Sequence, residues 1–353
     1  MSTLRTGVQF ALALLVLGVI GGHASTSKAA QWHVESYGLD SNTCGSADPC
    51  RSISAAIQRA SAGDVISVGP GIYGDLNQNG ILGEPGEETG EIGFGCNCVV
   101  KVDKAVTIHS TQGAKVTRID ATSVSTGTNL TNGVHIMADN AVFGFRDKGF
   151  QITGASAYSV LVDTSYVKIS GNVAIGDGNG YWADAPNNQL DWDVALVTGN
   201  GFLITEDNNT VTNSIASGGR DIGFTLSRGS VRSGPSGVVL TNDVSIGNQQ
   251  GFNILGNATL TGISAVGNLI YGIALRTGSN VTVANSNIYA NGTLAPACGI
   301  DNQSGLSTTI TNSFWGAAAG PGTGSANGIC NDDTSTTVVP SVAATPFRFR
   351  LDR

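Results

Sequence analysis

The chain has 353 residues, of which 49 are Gly and only 12% are charged, and its formal net charge is −8. So many turn formers and so few charges exclude a mainly helical protein and suit stacked short strands. The acidic balance excludes a general nucleic-acid binder, because phosphate contacts need a basic surface.

Residues 1–30 read as a signal peptide. Arg5 supplies the positive start, FALALLVLGVIGG (10–22) a short apolar run, and small residues offer cleavage after about Ala24 or Ala30. The run is short for a transmembrane anchor, so a secreted protein without stable membrane insertion is expected, with periplasm or cell surface as alternatives. Loss of this segment removes Arg5 and Lys28 and no acid, which moves the net charge from −8 to −10. An acidic ligand would then need a local basic patch or a bridging cation. The six cysteines (44, 50, 96, 98, 298 and 330) agree with an oxidising compartment. Cys298 with Cys330 is the favoured pair, tying down the last coil. Cys44 and Cys50 either close a short loop or reach Cys96 and Cys98, and the Cys-x-Cys spacing itself hints at a metal or redox site.

Residues 31–73 form an N-terminal cap and a first coil. In RSISAAIQRASA (51–62), Ile53, Ala56, Ile57 and Ala60 fall on one helical face, and Gly63-Asp64 ends the helix. VISV (65–68) follows as a buried strand. A helix in that place covers apolar core that an open solenoid end exposes.

Residues 74–98 are an acidic, Gly-rich insertion, and DLNQNGILGEPGE (75–87) has the pattern of a calcium loop. Asp75, Asn77 and Asn79 occupy positions 1, 3 and 5, Gly80 permits the sharp turn at position 6, and the Ile81 carbonyl comes next. Position 12 is Gly86 rather than the usual bidentate Glu, with Glu84 and Glu87 nearby. Ca2+ is therefore the expected cofactor, in a structural role.

Residues 99–330 carry an imperfect repeat: VKISGNVAIG (167–176), TVTNSIASG (210–218), VVLTNDVSIGN (238–248), TLTGISAVGN (259–268), VTVANSNIYAN (281–291) and TTITNSFWG (308–316). With Asn172, Asn213, Asn242, Gly262, Asn285 and Asn312 taken as equivalent, the motif returns every 20–41 residues. Alternating β-branched residues at such a period are the mark of a β-solenoid. Asn suits a left-handed corner between two strands, and stacked Asn side chains can bond from coil to coil. A second excursion is read at 177–193, DGNGYWADAPNNQLDWD. Its Tyr181, Trp182 and Trp192 offer aromatic faces with polar neighbours, which suits sugar rings and makes them candidate carbohydrate-binding residues. Residues 331–353 lose the pattern and form a tail.

The run PCRSI…AI…AS…GD…I…VGPG…Y within 49–73, with NSFWGAAAGPG (312–322), resembles the start and end of secreted bacterial right-handed parallel β-helix proteins, the pectate-lyase-like superfold. The resemblance covers nearly the whole mature chain. It implies an all-β, single-stranded right-handed parallel β-helix with an N-terminal helical cap, without fixing an activity. Uronate lyases of this fold take the C5 proton with Lys or Arg while Ca2+ or Arg neutralises the carboxylate. Lys148, Arg220, Arg228 and Arg276 are the candidates for that catalytic role. Arg228 in GFTLSR (223–228) and Arg276 in GIALRT (272–277) fall within one residue of equivalence, two coils and about 10 Å apart. Hydrolysis would need paired carboxylates from among Asp191, Asp193, Glu206, Asp207 and Asp221, none of which sits in a hydrolase motif. The expected function is binding of an extracellular acidic polysaccharide by a monomer, with its cleavage by β-elimination left open. The alternative is a non-catalytic structural or adhesin-like β-helix. The first requires the four cations and the aromatic segment to meet in one groove.

Overall fold

The computed structural model describes residues 28–92, 95–125, 130–176, 178–229, 233–294, 298–322 and 328–348. The expected signal peptide lies outside the described residues except at 28–30. Three all-parallel sheets account for the strands: sheet I with 12, sheet II with 9 and sheet III with 10, in the order in which the chain visits them. Each strand pairs with the equivalent strand one coil away, which makes the chain a right-handed parallel β-helix. Among the described residues no helix is long and apolar enough to cross a membrane.

Alternation within each short strand produces columns inside the prism. On sheet III, Val160, Tyr181, Phe202, Phe224, Phe252 and Ile273 occupy one register position of successive coils. Four of them form a continuous ring stack, with centroids 4.9, 4.7 and 4.8 Å apart from Tyr181 to Phe252. Those spacings are the distance between hydrogen-bonded strands, so the ladder itself imposes the stacking.

The corner between sheets I and II uses one residue at positive φ. Asn213, Asn242, Asn285 and Asn312 fill it at φ 45–58°, and Gly262 at 67°. Asn312 Nδ2 donates to Asn285 Oδ1 at 2.8 Å, which joins adjacent coils. Asn172 corrects the alignment: Gly171 takes the corner at φ 74°, and Asn172 belongs to the next, buried column. There its amide and those of its successors bond to side chains one coil on: Asn172 N to Asp193 Oδ1, Asp193 N to Ser214 Oγ, and Ser214 N to Asp243 Oδ1. A further ladder, Asn248, Asn268 and Asn291, closes the turn between sheets II and III.

At the N-terminal end the helix Ile53–Arg59 buries Ile53, Ala55, Ala56 and Ile57. Ser52 caps its first turn, and Glu88 accepts the Ile53 and Ser54 amides at 2.8 Å. Lys104 Nζ closes its other end on the carbonyls of Ile57, Gln58 and Ala60. The disulfides are Cys44–Cys50, Cys96–Cys98 and Cys298–Cys330, so the last joins successive coils and the first two are local. Cys96 and Cys98 lie beside His135, but as a disulfide they offer no thiolate to a metal.

Of the expected excursion at 177–193, residue 177 lies outside the described residues, and 178–193 do not leave the solenoid. They contain the strands Asn179–Ala183 and Gln189–Asp191, paired on both sides with the neighbouring coils, and form an ordinary turn of the solenoid.

Candidate functional site

The expected single groove is not formed. Lys148 is exposed at the corner between sheets I and II, after the strand Val142–Phe143. Arg220 is exposed at the turn from sheet II into sheet III. Arg228 and Arg276 follow strands of sheet III two coils apart, as their spacing implies. Both are engaged. Arg228 Nη2 lies 2.5 Å from Asp207 Oδ1 and 3.3 Å from Glu206 Oε2, and its Nε donates to the Thr205 carbonyl. Arg276 bonds Asn253, Gln250 and Asp301 on the two flanking coils. These guanidinium groups clamp neighbouring coils instead of standing free above a substrate.

The three aromatic candidates also separate. Tyr181 is 1% exposed inside the ring stack, with its hydroxyl on the Val194 carbonyl, so it has no face for a sugar. Trp192 takes the corner position at φ 59°, where other coils use Asn or Gly, and Arg146 Cζ lies 3.8 Å from its ring centroid. Trp182 alone of the three sits on the outer face of sheet III.

That outer face is built by register. Leu161, Trp182, Leu203, Thr225 and Asn253 are cross-strand neighbours in one column. Tyr158 packs its ring 4.7 Å from the Trp182 ring, centroid to centroid. Trp182 Nε1 donates to Thr205 Oγ1 at 3.0 Å, and Thr205 Oγ1 donates to Asp184 Oδ1 at 2.6 Å, which links the indole to the carboxylate through one hydroxyl. Trp182, Asp184, Leu203 and Thr205, with Glu206 and Arg228, line a cleft of about 300 Å³. Sequence reasoning missed Leu203 and Thr205, whose part is visible only once strand register sets them beside Trp182.

The electrostatics of the cleft are acidic. Asp184 and Glu206 line it with one cation, Arg228, which is also paired with Asp207. Asp207 is held below the usual carboxylate range, chiefly by the Ser236 amide and then by Arg228. Burial of Tyr158, reinforced by Asp184, raises its phenol. Along the same edge burial raises Asp301 even though Arg276 opposes it. The arrangement offers an apolar platform ringed by fixed hydrogen-bond acceptors, with no surplus of positive charge.

No protein-family model matches the chain, and no curated protein is similar to it. Solved structures of similar shape include a rhamnogalacturonan lyase, at TM-score 0.49 and 13% identity over 88% of each chain. Pectate lyase Pel9A is at 0.49 and 16% identity, over 92% of this chain and 78% of that one. An alginate lyase from Paenibacillus sp. str. FPU-7 is at 0.44 and 15%, over 83% and 96%. At these values the likeness carries no argument about activity, and the parallel β-helix rests on the chain's own strand pairing.

Proposed function

We propose that the outer face of sheet III binds an extracellular carbohydrate chain, centred on Trp182. The observation that carries this reading is the cleft itself: a half-buried indole, oriented by Thr205, next to Asp184, Glu206 and Arg228. A sugar has apolar ring faces and hydroxyl edges, so a flat aromatic with carboxylate acceptors beside it matches both. The charge balance favours an uncharged stretch of glycan over a uronate, since two lining carboxylates outnumber a single guanidinium that is itself paired with Asp207. Secretion fits this reading and the three disulfides.

Binding has better support here than β-elimination. Lys148 and Arg220 lie at two other corners, and Arg228 and Arg276, which share the edge of sheet III, are paired with carboxylates. The same coil-spanning clamps favour rigidity, which serves the structural alternative as well. The test is a panel of neutral and uronate polysaccharides offered to the mature chain, read by affinity electrophoresis and by absorbance at 235 nm, where unsaturated uronates absorb. Retardation by a neutral glycan with a flat absorbance trace is expected. No retardation by any polymer removes the carbohydrate reading, and a rise in absorbance replaces it with the lyase.

A further inference from the structure

The acidic segment after the first coil holds two carboxylates that the fold leaves half satisfied. Asp75 is 5% exposed and Glu87 is 3% exposed. One oxygen of each turns to backbone: Asp75 Oδ2 accepts the Gly80 amide at 2.6 Å, and Glu87 Oε1 accepts the Leu76 amide at 3.0 Å. The other oxygens, Asp75 Oδ1 and Glu87 Oε2, are buried with no donor in hydrogen-bonding geometry, although the Ser123 hydroxyl lies near enough to the Asp75 carboxylate to favour its ionised form. A buried ionised oxygen without donor or cation is strongly unfavourable.

The remainder of the loop folds on its own side-chain oxygens. Asn77 Oδ1 accepts the Asn79 amide, and Asn79 Oδ1 accepts the Ile81 amide at 2.8 Å, which folds positions 1 to 7 into one tight turn. Asn77 Nδ2 and Asn79 Nδ2 both donate to Glu84 Oε2, the latter at 2.9 Å. A half-turn of either amide brings its oxygen to that place. Glu87, one residue past the position a calcium loop reserves for its bidentate Glu, folds back onto the start of the loop and takes that part.

We propose that residues 75–87 bind one Ca2+ through Asp75 Oδ1 and Glu87 Oε2, with Asn77, Asn79, Glu84 and the Ile81 carbonyl completing an oxygen-only shell. Such a donor set selects a hard cation, and the uneven, flexible loop suits Ca2+ better than the strict octahedron of Mg2+. Asp75, Glu84 and Glu87 do not form a trio within 4.8 Å of one another, so the loop tightens as the ion enters. The ion also steadies the end of the solenoid, because the next residue, Glu88, caps the helix Ile53–Arg59.

Calorimetric titration of the EGTA-stripped full mature chain with Ca2+ alone tests this, independently of any glycan. Uptake of about one ion is expected, with a melting temperature raised by about 5 °C at about a hundredfold excess over Kd and a weaker response to Mg2+. Glu87→Gln and Asp75→Asn should abolish uptake. Exposed Asn79→Ala, which leaves the buried carboxylates in place, should weaken it about tenfold. No uptake by the wild type, or uptake unchanged in Asn79→Ala and in those of the other two variants that fold, overturns the proposal.

Discussion

Replacing Phe224 by Ala tests the packing that sets the register of the outer face. Phe224 is fully buried, and its ring lies 4.7 Å from Phe202 and 4.8 Å from Phe252, at interplanar angles of 4° and 10°. Truncating a buried Phe costs about 3–5 kcal/mol through lost transfer energy and the cavity left behind. Two stacked partners are lost at once, and each pair adds about 0.5–1.5 kcal/mol beyond area burial, which places this case near the top of the range. The neighbouring coils are tied by continuous ladders and cannot collapse into the gap. Guanidinium unfolding monitored by circular dichroism should therefore show a loss of about 4–5 kcal/mol. Thr225→Ala, on the outer face of the same strand, deletes one hydroxyl contact to Asn200 at 3.3 Å and should cost about 1 kcal/mol. A Phe224→Ala loss no larger than that of Thr225→Ala would refute the internal ring column. A fall in m would show instead that coils unfold separately.

Gly223→Ala should destabilise by about 1–3 kcal/mol, because an added Cβ would meet Ser245 Oγ at 2.2 Å and the Gly251 carbonyl of the next coil at 2.8 Å; a denaturant midpoint equal to wild type contradicts this. Burial pushes the Asp243 carboxyl well above its ordinary value, against the Ser214 and Thr241 amides and with help from Asp191. A proton held more tightly in the folded chain gives stability that is complete below about pH 4 and is lost as pH rises through the folded value. Asp243→Asn, which can donate to Thr241 O as Asn172 does to Ser170 O, should gain on wild type between pH 4 and 8. Equal urea midpoint differences at both pH values would refute it. Replacing Cys298 and Cys330 by Ser opens a loop with sequence separation 32 and should cost roughly 3–4 kcal/mol by the chain-entropy estimate, seen as early loss of the last coil in hydrogen exchange.

The repeat was legible because period-two alternation and left-handed corners are local needs that each coil must meet afresh. The helical cap was legible for the same reason, since its apolar face and the Gly63-Asp64 stop are neighbours in sequence. The segment 177–193 misled because its aromatics and acids resemble a binding loop. Yet Gly180 and Gly201, or Asp193 and Ser214, stand 21 residues apart, and that interval marks one regular coil. Trp192 hid the match by standing where the other coils place Asn or Gly. Tyr181 and Trp182 are adjacent in sequence and point to opposite sides of the sheet, so composition alone could not say which faces solvent. The cleft lies further from view: it joins Trp182, Thr205 and Arg228 from three coils, and only the pairing of strands brings them together.

The most direct test is a calorimetric titration of wild type, Trp182→Ala and Trp192→Ala with the glycan that binds best. Loss of an aromatic platform at the centre of a contact costs more than about 1.4 kcal/mol, or at least about tenfold in Kd. Trp182→Ala should lose at least that much while Trp192→Ala, at a different corner of the solenoid, binds as wild type does. Binding unchanged in Trp182→Ala, or lost instead in Trp192→Ala, would contradict a carbohydrate site on the outer face of sheet III.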